Sequence, residues 1–285
     1  MESSSLSATA KTTDAPTIEG FGEEWAAFDQ TRLDAEERKE VFDSYFSVFP
    51  FDELGEAEGF DVGCGSGRWA ALAATRVGHL HCIDPARKAL DVARVNLAGQ
   101  TNVSFHHAST DTLPLADGSQ DFGYSLGVLH HTPDPETALA KCVAKLKPGA
   151  PFLVYLYYSM DNQPAWYRAA WKLSDFGRRA ISRLPFGTRK LASEVLAALV
   201  YWPLARTARV AEKMGANVHS FPLGAYRNNS YYTMRTDALD RFGTKLEKRF
   251  SRAEIEAMMK RCGLEGIVFR EDAPFWCACG RRAAR

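Results

Sequence analysis

The sequence predicts an α/β fold: a doubly wound, mostly parallel sheet with an antiparallel C-terminal edge strand and a helical insertion after strand five. Three observations carry this reading. Short β-rich runs alternate with helical patterns from residue 57 to residue 156, the order that builds parallel strands joined by crossover helices. A glycine-rich turn, Gly63-Cys64-Gly65-Ser66-Gly67, follows the first run and opens into the alanine-rich Arg68-Trp69-Ala70-Ala71-Leu72-Ala73-Ala74. Residues 159–235 then interrupt the alternation before two last β-rich runs.

Composition bounds the rest. The 285 residues suffice for one large domain, or one domain with an insertion, and a hydrophobic content of 46% supports a real core. Lys+Arg and Asp+Glu both total 35, and a zero balance argues against nucleic-acid binding over a broad face. The six cysteines (Cys64, Cys82, Cys142, Cys262, Cys277, Cys279) are scattered through hydrophobic segments and read as reduced, buried residues of a cytoplasmic protein. Cys277-x-Cys279 puts two thiols on one strand face, too few ligands for a metal site, and none is expected. Residues 1–18 are expected to form a disordered tail, being rich in Ser, Thr and Ala and lacking the apolar core of a signal peptide or anchor. No apolar run approaches the roughly 18–20 residues of a membrane span.

The expected organisation is a helical arm over 19–50, a core over 51–158, the insertion over 159–235, and a return to the core over 236–285. In the arm, Phe21, Trp25 and Phe28 recur on one helical face, which either packs on the core or folds over a ligand cleft. A second helix is expected over Ala35 to Val48, ended by Pro50. The first strand, Glu56 to Phe60, is short and polar. Gly78 to Asp84 reads as the second strand, and Pro85 opens a helix over Ala86 to Leu97. Asn102 to His107 and Pro151 to Leu156 read as strands, with a helix over Ala138 to Leu146 before the latter.

Glycines in the turn after strand one let the backbone approach a ligand, and the helix start offers free N–H groups to anything anionic. The spacing is G-x-G-x-G, Arg68 stands where a dinucleotide fingerprint wants its third glycine, and Asp61 precedes the first. This stretch resembles the acid-x-G-x-G-x-G loop of class I S-adenosylmethionine (SAM) methyltransferases. Asp84 lies 17 residues beyond Gly67 at the tip of strand two, where an acid accepts hydrogen bonds from a ribose diol, or simply caps a helix. The stretch from Ala108 to His131, with its Leu113-Pro114 loop, Gly118-Ser119 turn and Val128-Leu129-His130-His131 end, resembles the type 11 methyltransferase pattern.

The resemblance implies a Rossmann-like core that binds SAM and releases S-adenosylhomocysteine. It implies cofactor contacts at Asp61, Gly63, Cys64, Gly65, Gly67, Asp84, Pro85 and Leu126, with Trp25 reaching in from the arm. In the family the turn after strand three often holds the adenine through an Asp. Here that position is Ser109, so its hydroxyl or the backbone of Thr110 has to serve.

Methyl transfer is an in-line displacement, so alignment dominates and a base is needed only for an acceptor that arrives protonated. The candidates at the ends of strands four and five are His130, His131 and Tyr157, with Tyr155 and Tyr158 beside them, although a histidine there is more often structural. Arg227, Tyr231, Tyr232 and Arg235 lie in a stretch that mixes rings with hydrogen-bonding groups, which suits a polar, flat acceptor or an ordinary exposed loop. The insertion is expected to hold helices over Ala165 to Leu184 and Lys190 to Met214, kinked near Pro203. From 161 to 213 it carries ten Lys/Arg against four Asp/Glu. It reads as an acceptor lid, as a packing or homodimer element, or as a surface that meets anionic lipid. Ser251 and Glu254 mark a capping box, and Gly266 to Arg270 and Phe275 to Cys279 read as an antiparallel pair. The expected function is SAM-dependent methyl transfer to O or N of a small-molecule acceptor. The alternatives are a non-catalytic SAM-binding regulator or partner subunit, and a lipid-headgroup methyltransferase.

Overall fold

The computed structural model describes residues 11–284. Seven strands form one sheet in the order β3-β2-β1-β4-β5-β7-β6. They are β1 (Glu58–Val62), β2 (His79–Asp84), β3 (Val103–His107), β4 (Phe122–Leu126), β5 (Pro151–Tyr155), β6 (Leu264–Phe269) and β7 (Ala278–Arg282). The first five pair in parallel, and β7 runs antiparallel to both β5 and β6. The antiparallel strand therefore sits one place in, and β6 takes the edge. The strand order reverses between β1 and β4, and at such a reversal the carboxyl ends of a doubly wound sheet open into a crevice.

Alternation along the strands builds two cores. Phe60, Val62, Phe152 and Val154 face α5 (Pro135–Lys145) and α10 (Arg252–Arg261), and pack with Leu139 and Met259. Phe122, Tyr124 and Leu153 face the other way, toward α2 (Ala35–Tyr45), the short α3 (Ala70–Ala73) and α4 (Arg87–Asn96), with Phe42, Ala70 and Leu90. All six cysteines are buried and free. No helix among the described residues is long and apolar enough to cross a membrane.

Several boundaries depart from the sequence reading. Residues 1–10 of the expected tail lie outside the described residues, but residues 11–18 are held. Asp14 caps α1 (Ala15–Ala27) by accepting from the Thr17 N–H, and Thr12 is buried. The last strand begins at Ala278, later than expected, because Phe275 and Trp276 sink into the core before the ladder starts and the polar Gly280 and Arg281 pair with β5. The capping box of Ser251 and Glu254 forms at α10.

The insertion is helical further than expected. It comprises α6 (Ala165–Ile181), α7 (Phe186–Leu196), a π turn over Ala197–Tyr201 and α8 (Trp202–Lys213). The widened turn lies immediately before Pro203, whose ring and missing N–H disturb a regular helical ladder. Residues 231–235 belong to a further helix, α9 (Tyr231–Gly243), capped by Ser230. Its Met234, Ala238 and Phe242 pack against Ala197, Tyr201 and Ala205, so the insertion extends beyond residue 235.

Candidate active site

One cavity of about 890 Å³ lies over the carboxyl ends of β1, β2, β4 and β5, closed above by α1 and by α9. Its floor starts at the glycine turn, where Gly63 and Gly65 take φ of +80° and +55°. A Cβ on Gly63 would lie 2.3 Å from Val128, and one on Gly65 would lie 2.9 Å from the Trp25 indole nitrogen. Trp25 therefore rests directly on the turn. Arg68 stacks between two rings, 5.2 Å from that of Trp25 and 4.3 Å from that of Trp69.

Asp84 ends β2 in the cavity wall, accepting the Gly65 N–H at 2.9 Å and the Ala86 N–H at 2.7 Å. Burial pushes its carboxyl up to about 6 against the pull of those two donors. Each oxygen keeps a lone pair for a further donor. Asp61 is buried beneath the floor, outside the wall, and burial with the nearby Asp84 charge holds its carboxyl well above the usual range.

Ser109 and Thr110 form the wall beyond β3. The N-terminal segment before α1 crosses there. Thr12 donates its hydroxyl to Asp111 at 2.7 Å, lies 2.5 Å from the Thr110 hydroxyl, and is 1% exposed. Lys141 holds the same carboxylate at 2.7 Å, and with the Thr12 donors it keeps Asp111 below its ordinary range although burial, the largest influence, pushes the other way. Thr12, Thr13 and Asp14 line the cavity, and the sequence reading missed them.

At the far end stand the two histidines of the turn Leu129–His131. His131 lines the cavity and donates from Nδ1 to the Leu246 carbonyl at 2.7 Å, leaving Nε2 buried with no partner. Burial pulls its pKa to about 4, so the ring is neutral at pH 7. His130 is buried outside the wall, where burial holds its pKa well below the ordinary range, and its ring lies 3.9 Å from that of Tyr157. The Tyr157 hydroxyl donates to Asp240, whose carboxyl burial raises to about 6. Asp237, one helical turn earlier on α9, is likewise raised to about 6 by burial. Glu24 of α1 is pushed well above its ordinary value, first by burial and then by the Asp240 and Asp237 charges.

Of the residues singled out in the sequence, the cavity wall contains Trp25, Gly63, Asp84, Pro85, Ser109, Thr110, Leu126, His131, Tyr155, Tyr157, Tyr158 and Arg227. It does not contain Asp61, Cys64, Gly65, Gly67, His130, Tyr231, Tyr232 or Arg235. Gly65 is covered by Trp25, and Gly67 faces Leu97 and Ala93. The misses on α9 follow from helix phase. Tyr231 packs on Trp202, the Tyr232 hydroxyl accepts the Gln30 N–H, and Arg235 pairs with Glu194 at 2.5 Å. The inward face instead carries Thr233, Thr236, Asp237, Asp240 and Arg241, at the three- and four-residue spacing of one helical stripe. That spacing was the available signal. Arg227 reaches the wall but is paired with Glu212 at 2.8 Å.

A methyltransferase-domain family model matches residues 60–154. The ubiquinone biosynthesis O-methyltransferase of Xanthomonas oryzae pv. oryzae is 30% identical over 188 residues, covering 65% of this chain and 74% of its own. The chain belongs to the SAM-dependent methyltransferase family. A ubiquinone biosynthesis O-methyltransferase of Aromatoleum aromaticum is 37% identical over 92 residues, 31% of this chain and 39% of its own. A SAM-dependent methyltransferase of Aquifex aeolicus shares the fold of this methyltransferase with a TM-score of 0.50 at 14% identity, covering 90% of this chain and 96% of its own. The family accounts for the enzyme class.

Proposed function

We propose that this methyltransferase moves the methyl group of SAM to a hydroxyl of a small aromatic acceptor. The observation that carries the acceptor chemistry is His131, a residue of the cavity wall whose neutral ring has its Nδ1–H fixed on Leu246 and its Nε2 buried without a partner among the described residues. A phenolic hydroxyl arrives protonated, and a neutral imidazole fixed in one tautomer is the group to take that proton as the oxygen is alkylated. The names of the relatives support oxygen as the acceptor atom.

The residues fit the cofactor. Gly63 presents backbone to the cavity at the positive-φ turn, where Val128 fills the place of a side chain, and Asp84 offers unfilled lone pairs to a diol. Ser109, Thr110 and Leu126 would hold the adenine end, and Arg68 the methionine carboxylate. Bound there, SAM supplies an electrophilic methyl on a sulfonium centre. Trp25 and α1 exclude water above the floor, while Tyr155, Tyr157 and Tyr158 give an aromatic wall against which a flat acceptor can align.

The test is transfer of labelled methyl from SAM to dihydroxybenzoates and to aromatic amines of the same size. Labelled methyl ether on the phenols, with little transfer to the amines, is expected. Transfer to the amines alone would overturn the assignment of oxygen. Cofactor affinity should also depend on pH. A diol binds the ionised Asp84, and this group in the ligand-free protein titrates near 6, so protonation competes with binding as the pH falls. The SAM Kd by calorimetry is expected to rise about tenfold from pH 7 to pH 5 and to flatten above pH 7. In Asp84→Asn the slope should be largely lost.

A further inference from the structure

The outward face of the insertion carries a feature that the cavity does not use. On α6, Trp166, Leu173 and Phe176 are exposed, Leu173 to 76% and Phe176 to 78%. From α7 through the π turn into α8, the exposed Leu191, Val195, Leu199 and Trp202 recur at intervals of four, four and three, along one helical face. Leu199 is 72% exposed, and Met214 at the end of α8 is 82% exposed. The other side of this helical run is closed, with Ala197, Tyr201 and Ala205 packed against Met234 and Ala238 of α9. Exposed apolar clusters of this extent mark interaction surfaces.

Charge decides what covers it. The acids of residues 161–213 are all engaged. Asp161 accepts from Trp276 and from the Arg252 N–H, Asp175 pairs with Arg178 and Arg179, Glu194 with Arg235, and Glu212 with Arg227. The exposed Arg168, Lys172, Arg183, Arg209 and Lys213 have no acidic partner among the described residues. Apolar side chains flanked by uncompensated cations are the composition of helices that lie in an anionic lipid interface. A second copy of the chain meeting this face would set the same excess positive charge against itself.

We propose that the exposed apolar stripes of α6 and of α7–α8 seat the protein on an anionic membrane surface. Residues 216–219, just beyond α8, line the cavity, so the seated face adjoins the acceptor wall. An acceptor with an apolar portion could then enter from the bilayer without crossing water.

The test is co-sedimentation of the full chain with vesicles of phosphatidylglycerol and phosphatidylcholine, against vesicles of phosphatidylcholine alone. Binding to the first, weakened by added salt, is expected. Phe176→Asp with Leu199→Asp should lower it at least about tenfold. Arg168→Ala with Lys172→Ala should lower it as well, each cation near the surface contributing about fivefold. All four positions are exposed, and unchanged thermal melting and SAM affinity verify that the variants fold. Failure to bind anionic vesicles overturns the proposal, as does equal binding to both vesicle types. A dimer in sedimentation velocity that the Phe176→Asp, Leu199→Asp variant abolishes, without vesicle binding, assigns the face to a second copy.

Discussion

His131→Asn is expected to lower kcat for a phenolic acceptor by about 10²–10⁴-fold, the range of a lost general base. Asparagine places an amide donor where Nδ1 stands, so the Leu246 carbonyl keeps its partner while the free imidazole lone pair is lost. SAM affinity should stay within about threefold, because on the proposed reading His131 serves the acceptor and Asp84 the cofactor. Steady-state kinetics with calorimetry separates the two effects. Wild-type kcat in the variant would remove the proton-transfer role from His131, leaving Asp240 with Tyr157 as the pair within reach of the cavity.

Asp84→Ala is expected to weaken SAM binding by about 1.5–3 kcal/mol, the worth of hydrogen bonds to a charged group. Two effects add. The diol loses its acceptor, and the N–H groups of Gly65 and Ala86 lose theirs, so the turn that forms the floor is no longer fixed. Asp84→Asn retains one carbonyl oxygen and should fall between the wild type and alanine. Calorimetry at pH 7.5 with SAM and with S-adenosylhomocysteine measures both. Equal affinities across the three proteins would place the cofactor elsewhere in the cavity.

The core and the floor of the site are legible in the sequence because short-range rules govern them. A glycine turn between an apolar run and an alanine-rich helix, followed by an acid at the tip of the next strand, fixes geometry within some thirty residues. The walls contributed from a distance are not legible. Asn228, Asn229 and Ser230 are turn residues, and they make the stretch around Tyr231 read as a loop. Ser230 is in fact the cap that starts α9, and only the phase of that helix turns Asp237 and Asp240 inward and Tyr231 outward. His130 and His131 are indistinguishable as letters, and a single tight turn buries one behind the wall and brings the other to the cavity. Thr12 sits in a Ser/Thr-rich stretch that cannot make a core of its own. Its order comes from polar partners at Thr110 and Asp111, about a hundred positions away in the chain.

The crossing of Thr12 beside Ser109 and Thr110 is a latch between the start of the chain and the wall beyond β3. If the adenine lies against that wall, as proposed, cofactor exchange would strain the Thr12 bonds to Asp111 and Thr110 and the start of α1. Spent and fresh cofactor would then meet the same latch, and exchange would share control of turnover with the displacement itself.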